Sequence, residues 1–424
     1  MPHNRTAASV FRFRSPLAIV FVALSLSSGV VSRVPVTVPR ATPTDRDNRR
    51  TKTGIDVLEE EKFAPLRGKR VGLITNQTGV DSEGRRTIDV LAHADGIKLI
   101  ELFSPEHGIA GRIDSSVGNT TDEATGLRVF SLFGQTRRPT PEMLTNLDAL
   151  VYDIQDAGVR FYTYVSTMGY CMEEAAKRHI SFFVLDRPDI LGGEVIEGPM
   201  LDRDKTSFVA YFPLPVRFAM TLGELAQMFN AENHIGVDLH VIKMENWRRS
   251  ETYDQTGLAR IGPSPNLRIL RAAFVYPGIE ILQAAGVSVG RGTDTPFELF
   301  GAPWIHAAEL VSELNRGKIP GVTFASTKFT PSDGVYKGQP CDGVLLTVTD
   351  RAPFRSMLMG IEIIEALNRL YPQNFQIGKT IELLGSESTV SRLERGDDAR
   401  AIIAGWSADL ENFRARRQKY LLYQ

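Results

Sequence analysis

The sequence predicts an α/β protein in which a mainly parallel, doubly wound sheet domain is followed by a smaller α/β domain. Three observations carry this expectation. Short runs apolar on both faces, such as "VGLIT", "LVYDI" and "SFFVL", alternate with stretches of helical period, the pattern of parallel strands covered on both sides. The texture changes near residue 271, where a Gly-rich segment, "GVSVGRGTDTPFELFGAPW", follows. The 424 residues are also enough for two hydrophobic cores.

The elements follow in order. "KRVGLIT" reads as a strand, and "RRTIDVLAHAD" as a helix with Ile88, Leu91 and Ala92 on one face. "IKLIELF" and "LRVFSLF" are further strands. In "TPEMLTNL", Thr140 is placed to cap a helix with Pro141 in its first turn. Strand "ALVYDI", a long helix over 162–178 and strand "ISFFVLD" come next. "TLGELAQMFNAEN" opens on Thr221 with Glu224 three residues on, a capping box, and "DLHVIKM" closes this half. The second half holds helix "HAAELVSELNR", strands "GVTFAST" and "GVLLTVTD", a helix around "FRSMLMGIEIIEALNRLY" and a polar helical tail ending in "ENFRARRQKYLLY".

Ahead of these lies "MPHNRTAASVFRFR", with Arg5, Arg12, Arg14 and no acid, then the apolar "SPLAIVFVALSLSSGVV". A basic segment before an apolar one is the layout of a secretory signal, placed at 1–31. The run is shorter than the ~20 residues of a comfortable membrane span, with an uncleaved anchor as the alternative. No Cys follows it, which argues against a lipoprotein anchor. "VPVTVPRATPTDRDNRRTKTG" has no period and reads as a disordered tether over 32–53. The two domains are expected at 54–271 and 272–424, and the protein is expected to work in the periplasm or secreted. A net charge of −1 gives no electrostatic case for nucleic acid or an anionic membrane. Seven His and two Cys are too few for a metal-cluster or disulfide scaffold. Cys171 is expected to be packing and Cys341, in "GQPCDG", to lie in a loop.

In open parallel sheets, ligands bind beyond the carboxyl ends of the strands. Asn76 follows "VGLIT"; Glu106 and His107 follow "IELF"; Asp153, Gln155, Asp156 and Arg160 end or follow "LVYDI"; Asp186 and Arg187 follow "SFFVL". Together they point to one pocket, although a strand-end Asp often simply caps the next helix. In "SPEHG" the strand fixes Glu106 and His107, Pro105 restricts the turn and Gly108 permits an unusual path. Partial burial favours the protonated form of a carboxyl, as general acid catalysis requires. His107 is placed to hold Glu106, to bind a substrate oxygen, or to meet a backbone carbonyl. Tyr162 and Tyr164 add rings and hydroxyls suited to a polyhydroxylated ligand. The two arginines imply an acidic group on that ligand, unless they brace the neighbouring acids and leave the task to Arg291. Glu298 is either a second carboxyl facing Glu106 or an acid that braces its own loop. "VSVGRGTD" lacks the third Gly of a dinucleotide loop, and no metal-ligand spacing is present.

The motifs "LITNQTGVD", "LFSPEHGIAG", "YDIQDAGVRFYTY", "VLDRPDILGG", "EGPML", "MTLGELA", "PSPNL", "YPG" and "GRGTDTPFE..GAPW" occur in that order. Together they resemble the NamZ-type exo-β-N-acetylmuramidases, from about residue 54 to the C-terminus. The resemblance implies a Rossmann-like first domain, a smaller second one and a cleft between them. It also implies release of N-acetylmuramic acid from the non-reducing ends of peptidoglycan fragments without a redox cofactor, with Glu106 as the acid and His107 beside it. Two places depart from the family pattern. "RFAMT" puts Phe218 and Ala219 where members often read "RHGMT", and "LQAAGVS" puts Gln283 where an acid is expected. These leave a related amino sugar, or an exported non-catalytic sugar-binding protein, as alternatives.

Overall fold

A computed structural model describes residues 50–424; the leader expected at 1–31 and the tether expected over 32–53, as far as residue 49, lie outside the described residues. In the N-terminal half, α1 (Gly54–Glu60) precedes β1 (Arg70–Thr75), α2 (Thr87–Ala92), β2 (Lys98–Ser104), β3 (Thr120–Thr121), β4 (Arg128–Ser131) and β5 (Ala149–Asp153). Then come α3 (Thr163–Ala176), β6 (Ser181–Leu185), β7 (Glu197–Met200), β8 (Pro215–Arg217), α4 (Leu222–Glu232) and β9 (Leu239–Ile242). The C-terminal half runs through α5 (Leu270–Ala284), β10 (Leu299–Ala302), α6 (Ala307–Arg316), β11 (Val322–Phe329), β12 (Cys341–Val348) and α7 (Ser356–Leu370). It ends in α8 (Ile381–Leu384), α9 (Glu387–Glu394), α10 (Ala399–Ala404) and α11 (Ser407–Arg417).

The main sheet has the order β3-β4-β2-β1-β5-β6-β9. All its pairings are parallel except that of β3 with β4. The chain winds outward one way from β1 through β2 and β4, then the other way through β5, β6 and β9, so the order reverses between β1 and β5. Side-chain alternation divides the sheet cleanly. Val71, Leu73, Val151, Phe183 and Leu185 pack under α1 and α2. Ile74, Leu150, Tyr152, Phe182 and Val184 face the opposite side, in a cluster that continues into the C-terminal half. That half has its own antiparallel sheet, β10-β12-β11. The expected α/β class, with a large mainly parallel sheet and a smaller second unit, is what the chain adopts.

Local differences have physical reasons. The segment after Thr140 forms consecutive turns closed by i→i−3 bonds, such as Leu144 N to Pro141 O, rather than a helix. Ala92 is exposed at the end of α2. Residues 51 and 52 are tied down by backbone bonds to Thr256 and Glu245, so the ordered chain starts earlier than Gly54. Cys341 opens β12 instead of lying in a loop, and both cysteines are buried and free. The capping box at Thr221 and Glu224 forms as read.

Helix α5 has no counterpart in the sequence reading, because Pro277 and Gly278 sit in its middle. Proline removes a donor and crowds the preceding turn. Here α7 compensates: Ser356 Oγ accepts from Gly278 N at 2.9 Å and donates to Val275 O at 3.3 Å. Gly278 and Gly360 let the two helices touch backbone to backbone, and a Cβ on Gly278 would stand 2.2 Å from Ser356 O. Gly278→Ala is therefore expected to push α5 from α7 and cost about 1–3 kcal/mol. Urea denaturation measures this, and an unchanged midpoint would show that the helices have slack.

Candidate active site

A cavity of about 380 Å³ opens where the carboxyl edge of the main sheet meets α5, near the lower end of the ~300–1,000 Å³ usual for ligand pockets. Its N-terminal wall comes from two loops. After β2, Pro105 turns the chain and presents Glu106, half-buried, with His107 at φ +71° and Gly108 at +73°. After β5, the chain supplies Phe161, Tyr162 and Thr163, the last opening α3. Thr163 Oγ1 donates to Glu106 Oε2 at 2.5 Å, so one carboxylate oxygen is fixed.

His107 is held at one nitrogen only. Its Nδ1 lies 2.9 Å from Ile113 O and 2.8 Å from Asp114 Oδ1. Two acceptors at one ring nitrogen require that nitrogen to carry the proton, which leaves Nε2 with its lone pair in the neutral ring. Asp114 also accepts from Asn266 Nδ2 at 2.5 Å. The hydrogen bond from His107 holds the Asp114 carboxyl below the usual carboxylate range.

The opposite wall belongs to α5 and the loop before β10. Tyr276 meets Phe161, Tyr162 and Phe297 edge-on, with centroids 5.7, 6.0 and 4.8 Å apart. One turn further, Glu280 is buried and accepts from Arg291 Nη2 at 2.6 Å, while Gln283 accepts from Arg291 Nε at 2.7 Å. Burial pushes the Glu280 carboxyl upward, opposed by Arg291. The Tyr162 hydroxyl is buried with no partner in hydrogen-bond range. The cavity thus combines carboxyl groups, an oriented imidazole, one guanidinium and an aromatic floor. That set suits acid–base chemistry on a polar, ring-shaped substrate.

Two family models match the chain: "Exo-beta-N-acetylmuramidase NamZ, N-terminal" over 71–271 and "Exo-beta-N-acetylmuramidase NamZ, C-terminal" over 274–423. The chain belongs to the NamZ family. A NamZ relative from Bacillus subtilis (strain 168), described as a peptidoglycan beta-N-acetylmuramidase, is 43% identical over 397 residues, which is 92% of this chain and 96% of the relative. A crystal structure of a DUF1343 family protein from Bacteroides fragilis NCTC 9343 is 40% identical with a TM-score of 0.82, over 89% of this chain and 100% of that one. A second such structure from the same organism is 29% identical with a TM-score of 0.72, over 88% and 99%.

Of the residues singled out in the sequence, Glu106, His107, Tyr162 and Arg291 line the cavity of this NamZ member. The others are engaged within the fold. Asn76 closes its own turn through Thr78. Asp153 pairs with Arg187 at 2.5 Å and accepts from Thr87. Gln155 donates to the carbonyls of Asp156 and Pro188. Arg160 donates to four backbone carbonyls, and Tyr164 to Pro263 O. Asp186 accepts from Thr221, Gly223 and Tyr423 and so caps α4. Glu298 pairs with Arg271 in the first turn of α5. At the β1/β5 crossover these strand-end groups are therefore engaged within the fold, and the cavity is lined instead by residues further along the loops after β2 and β5.

The departures also separate. Phe218 and Ala219 are buried away from the cavity, with their carbonyls taken by Arg417. Gln283 does line it. Asp114, Thr163, Tyr276 and Glu280 escaped the sequence reading. Glu280 left a signal, as the single acid in an otherwise apolar run, "AAFVYPGIEIL"; Asp114 left none.

Asp156 is buried, and burial raises its pKa to about 8. This lies above the ~3.9 of an unfolded chain, so the folded state retains the proton. The resulting stability is fully present below about pH 4 and is lost as pH rises through about 8. Asp156→Asn removes this titration. The fall in unfolding free energy between pH 5 and pH 8, followed by urea denaturation, is expected to be shallower in the variant; an unchanged fall would assign the titration elsewhere.

Proposed function

We propose that this protein is an exported, exo-acting glycoside hydrolase that releases N-acetylmuramic acid from the non-reducing ends of peptidoglycan fragments, with Glu106 as the general acid. The observation that carries the reading is the Glu106 carboxyl, fixed by Thr163 at the carboxyl edge of the sheet, in a cavity with an aromatic floor. The relative named as a peptidoglycan beta-N-acetylmuramidase, matched along nearly its whole length, supports the sugar class. A leader at 1–31 suits a substrate outside the cytoplasm.

The chemistry follows from the geometry. One Glu106 oxygen accepts from Thr163, and the other is left to give its proton to the glycosidic oxygen as the bond to the anomeric carbon breaks. Glycoside cleavage passes through an oxocarbenium-like state that must also be met from the opposite face of the ring. His107, with Nδ1 occupied by Ile113 O and Asp114, is set to take a proton from water at Nε2. Asp114 holds the tautomer and would stabilise the imidazolium that forms, the role an Asp plays behind a catalytic His elsewhere.

Glu106→Gln is expected to lower kcat by about 10²–10⁴ on an aryl β-N-acetylmuramide while the melting temperature stays near wild type. Full turnover in a folded variant would remove Glu106 from the mechanism. Asp114→Asn keeps the shape but removes the charge behind His107, and kcat is expected to fall by about 10² or more with little change in KM. Steady-state kinetics on the same substrate decide this, and an unchanged kcat would make the His107–Asp114 pair a structural prop.

A further inference from the structure

Four acids line the cavity, Glu106, Asp114, Glu280 and Asp333, and among the described lining residues Arg291 is the one permanent cation. Its setting is built rather than incidental. Gly290 and Gly292 flank it at φ +76° and +75°. A Cβ on Gly290 would meet Leu299 Cδ1 at 2.7 Å, and one on Gly292 would meet Asp333 N and Ser332 Oγ at 2.5 Å. The loop around Gly334 packs on the aliphatic stem, with Arg291 Cβ and Cδ each 3.5 Å from where a Gly334 Cβ would stand. The guanidinium lies over the Phe297 ring at 5.1 Å. Helix α5 then supplies two acceptors one turn apart, Glu280 for Nη2 and Gln283 for Nε. Both bonds use one edge of the fork, so Nη1 and the second Nη2 hydrogen are left for a ligand.

We propose that Arg291, held in orientation by Glu280 and Gln283, reads a carboxylate on the substrate: the acid of the lactyl ether that distinguishes N-acetylmuramic acid from N-acetylglucosamine. This rests on the muramidase reading above. Arg291 is the specificity residue, and Glu280 and Gln283 are positioning residues. A guanidinium presents two parallel donors that match a carboxylate, and fixing the fork beforehand reduces the entropy lost on binding. The other lining charges are acids and cannot serve. Arg160 and Arg187, the earlier candidates, are consumed by backbone carbonyls and by Asp153.

The test compares three aryl β-glycosides: the N-acetylmuramide, its lactamide, which keeps the shape without the charge, and the N-acetylglucosaminide. Wild-type enzyme is expected to favour the free acid over the lactamide in kcat/KM by about ten- to a hundredfold, the worth of one charge-assisted contact. In Arg291→Met that ratio is expected to fall toward one. Glu280→Ala should lose most of the ratio through KM for the free acid, and Glu280→Gln, which keeps an acceptor oxygen, should retain more of it. A wild-type enzyme that favours the muramide over the glucosaminide yet treats acid and lactamide alike overturns the carboxylate reader alone. The same holds if Arg291→Met loses both muramoyl substrates equally. A wild-type enzyme that prefers the glucosaminide overturns the muramidase reading and the reader with it.

Discussion

The site depends on one buried guanidinium that faces no carboxylate. Arg160 sends Nη1 to the carbonyls of Pro199 and Leu214 and Nη2 to those of Leu383 and Leu384, at 2.7–3.1 Å. Its own amide donates to Val216 O. Burial disfavours the charge strongly, bringing its pKa down to about 9, and the four carbonyl dipoles compensate. Their geometry matters because the next residues, Phe161 to Thr163, form one side of the cavity, while Leu383, from the C-terminal half, forms part of the other. A single polar bolt therefore sets the spacing between walls that come from distant parts of the chain. An ammonium, with three donors on a point charge, could not span the same four acceptors.

The same economy runs through the first half. Asp153 with Arg187, Glu224 with Arg249 and Glu197 with Arg217 are all buried pairs within the fold. Such pairs are strongly destabilising to break, because the remaining partner is left charged and dry. They position strand ends and helix starts. The groups that stay open, Glu106, His107 and Arg291, each have one polar edge tied down and another free.

This explains what the sequence revealed and what it withheld. The strands were legible because burial on both faces leaves unbroken apolar runs, and α4 because its capping box is a local signal. Helix α5 was hidden because the partner that rescues Pro277, Ser356 on α7, is remote in the chain. The strand-end rule located Glu106 and His107 but also gathered Asp153, Asp186, Arg160 and Arg187. A sequence displays charges without their partners, and those four had already found theirs. The opposite wall was nearly invisible, since no periodicity announces that Glu280 and Gln283 will converge on Arg291.

The division of the cavity has a consequence for heredity. The carboxyl proposed to break the bond rides on the loop after β2, whereas the surface proposed to inspect the sugar's substituents rides on α5 and the Gly290–Gly292 loop. A lineage can therefore rewrite its diet by point changes along one helix while inheriting the hydrolytic apparatus intact. Copies that differ only along α5 would be free to specialise on differently decorated glycans, and Gln283 is one such position on the cavity wall.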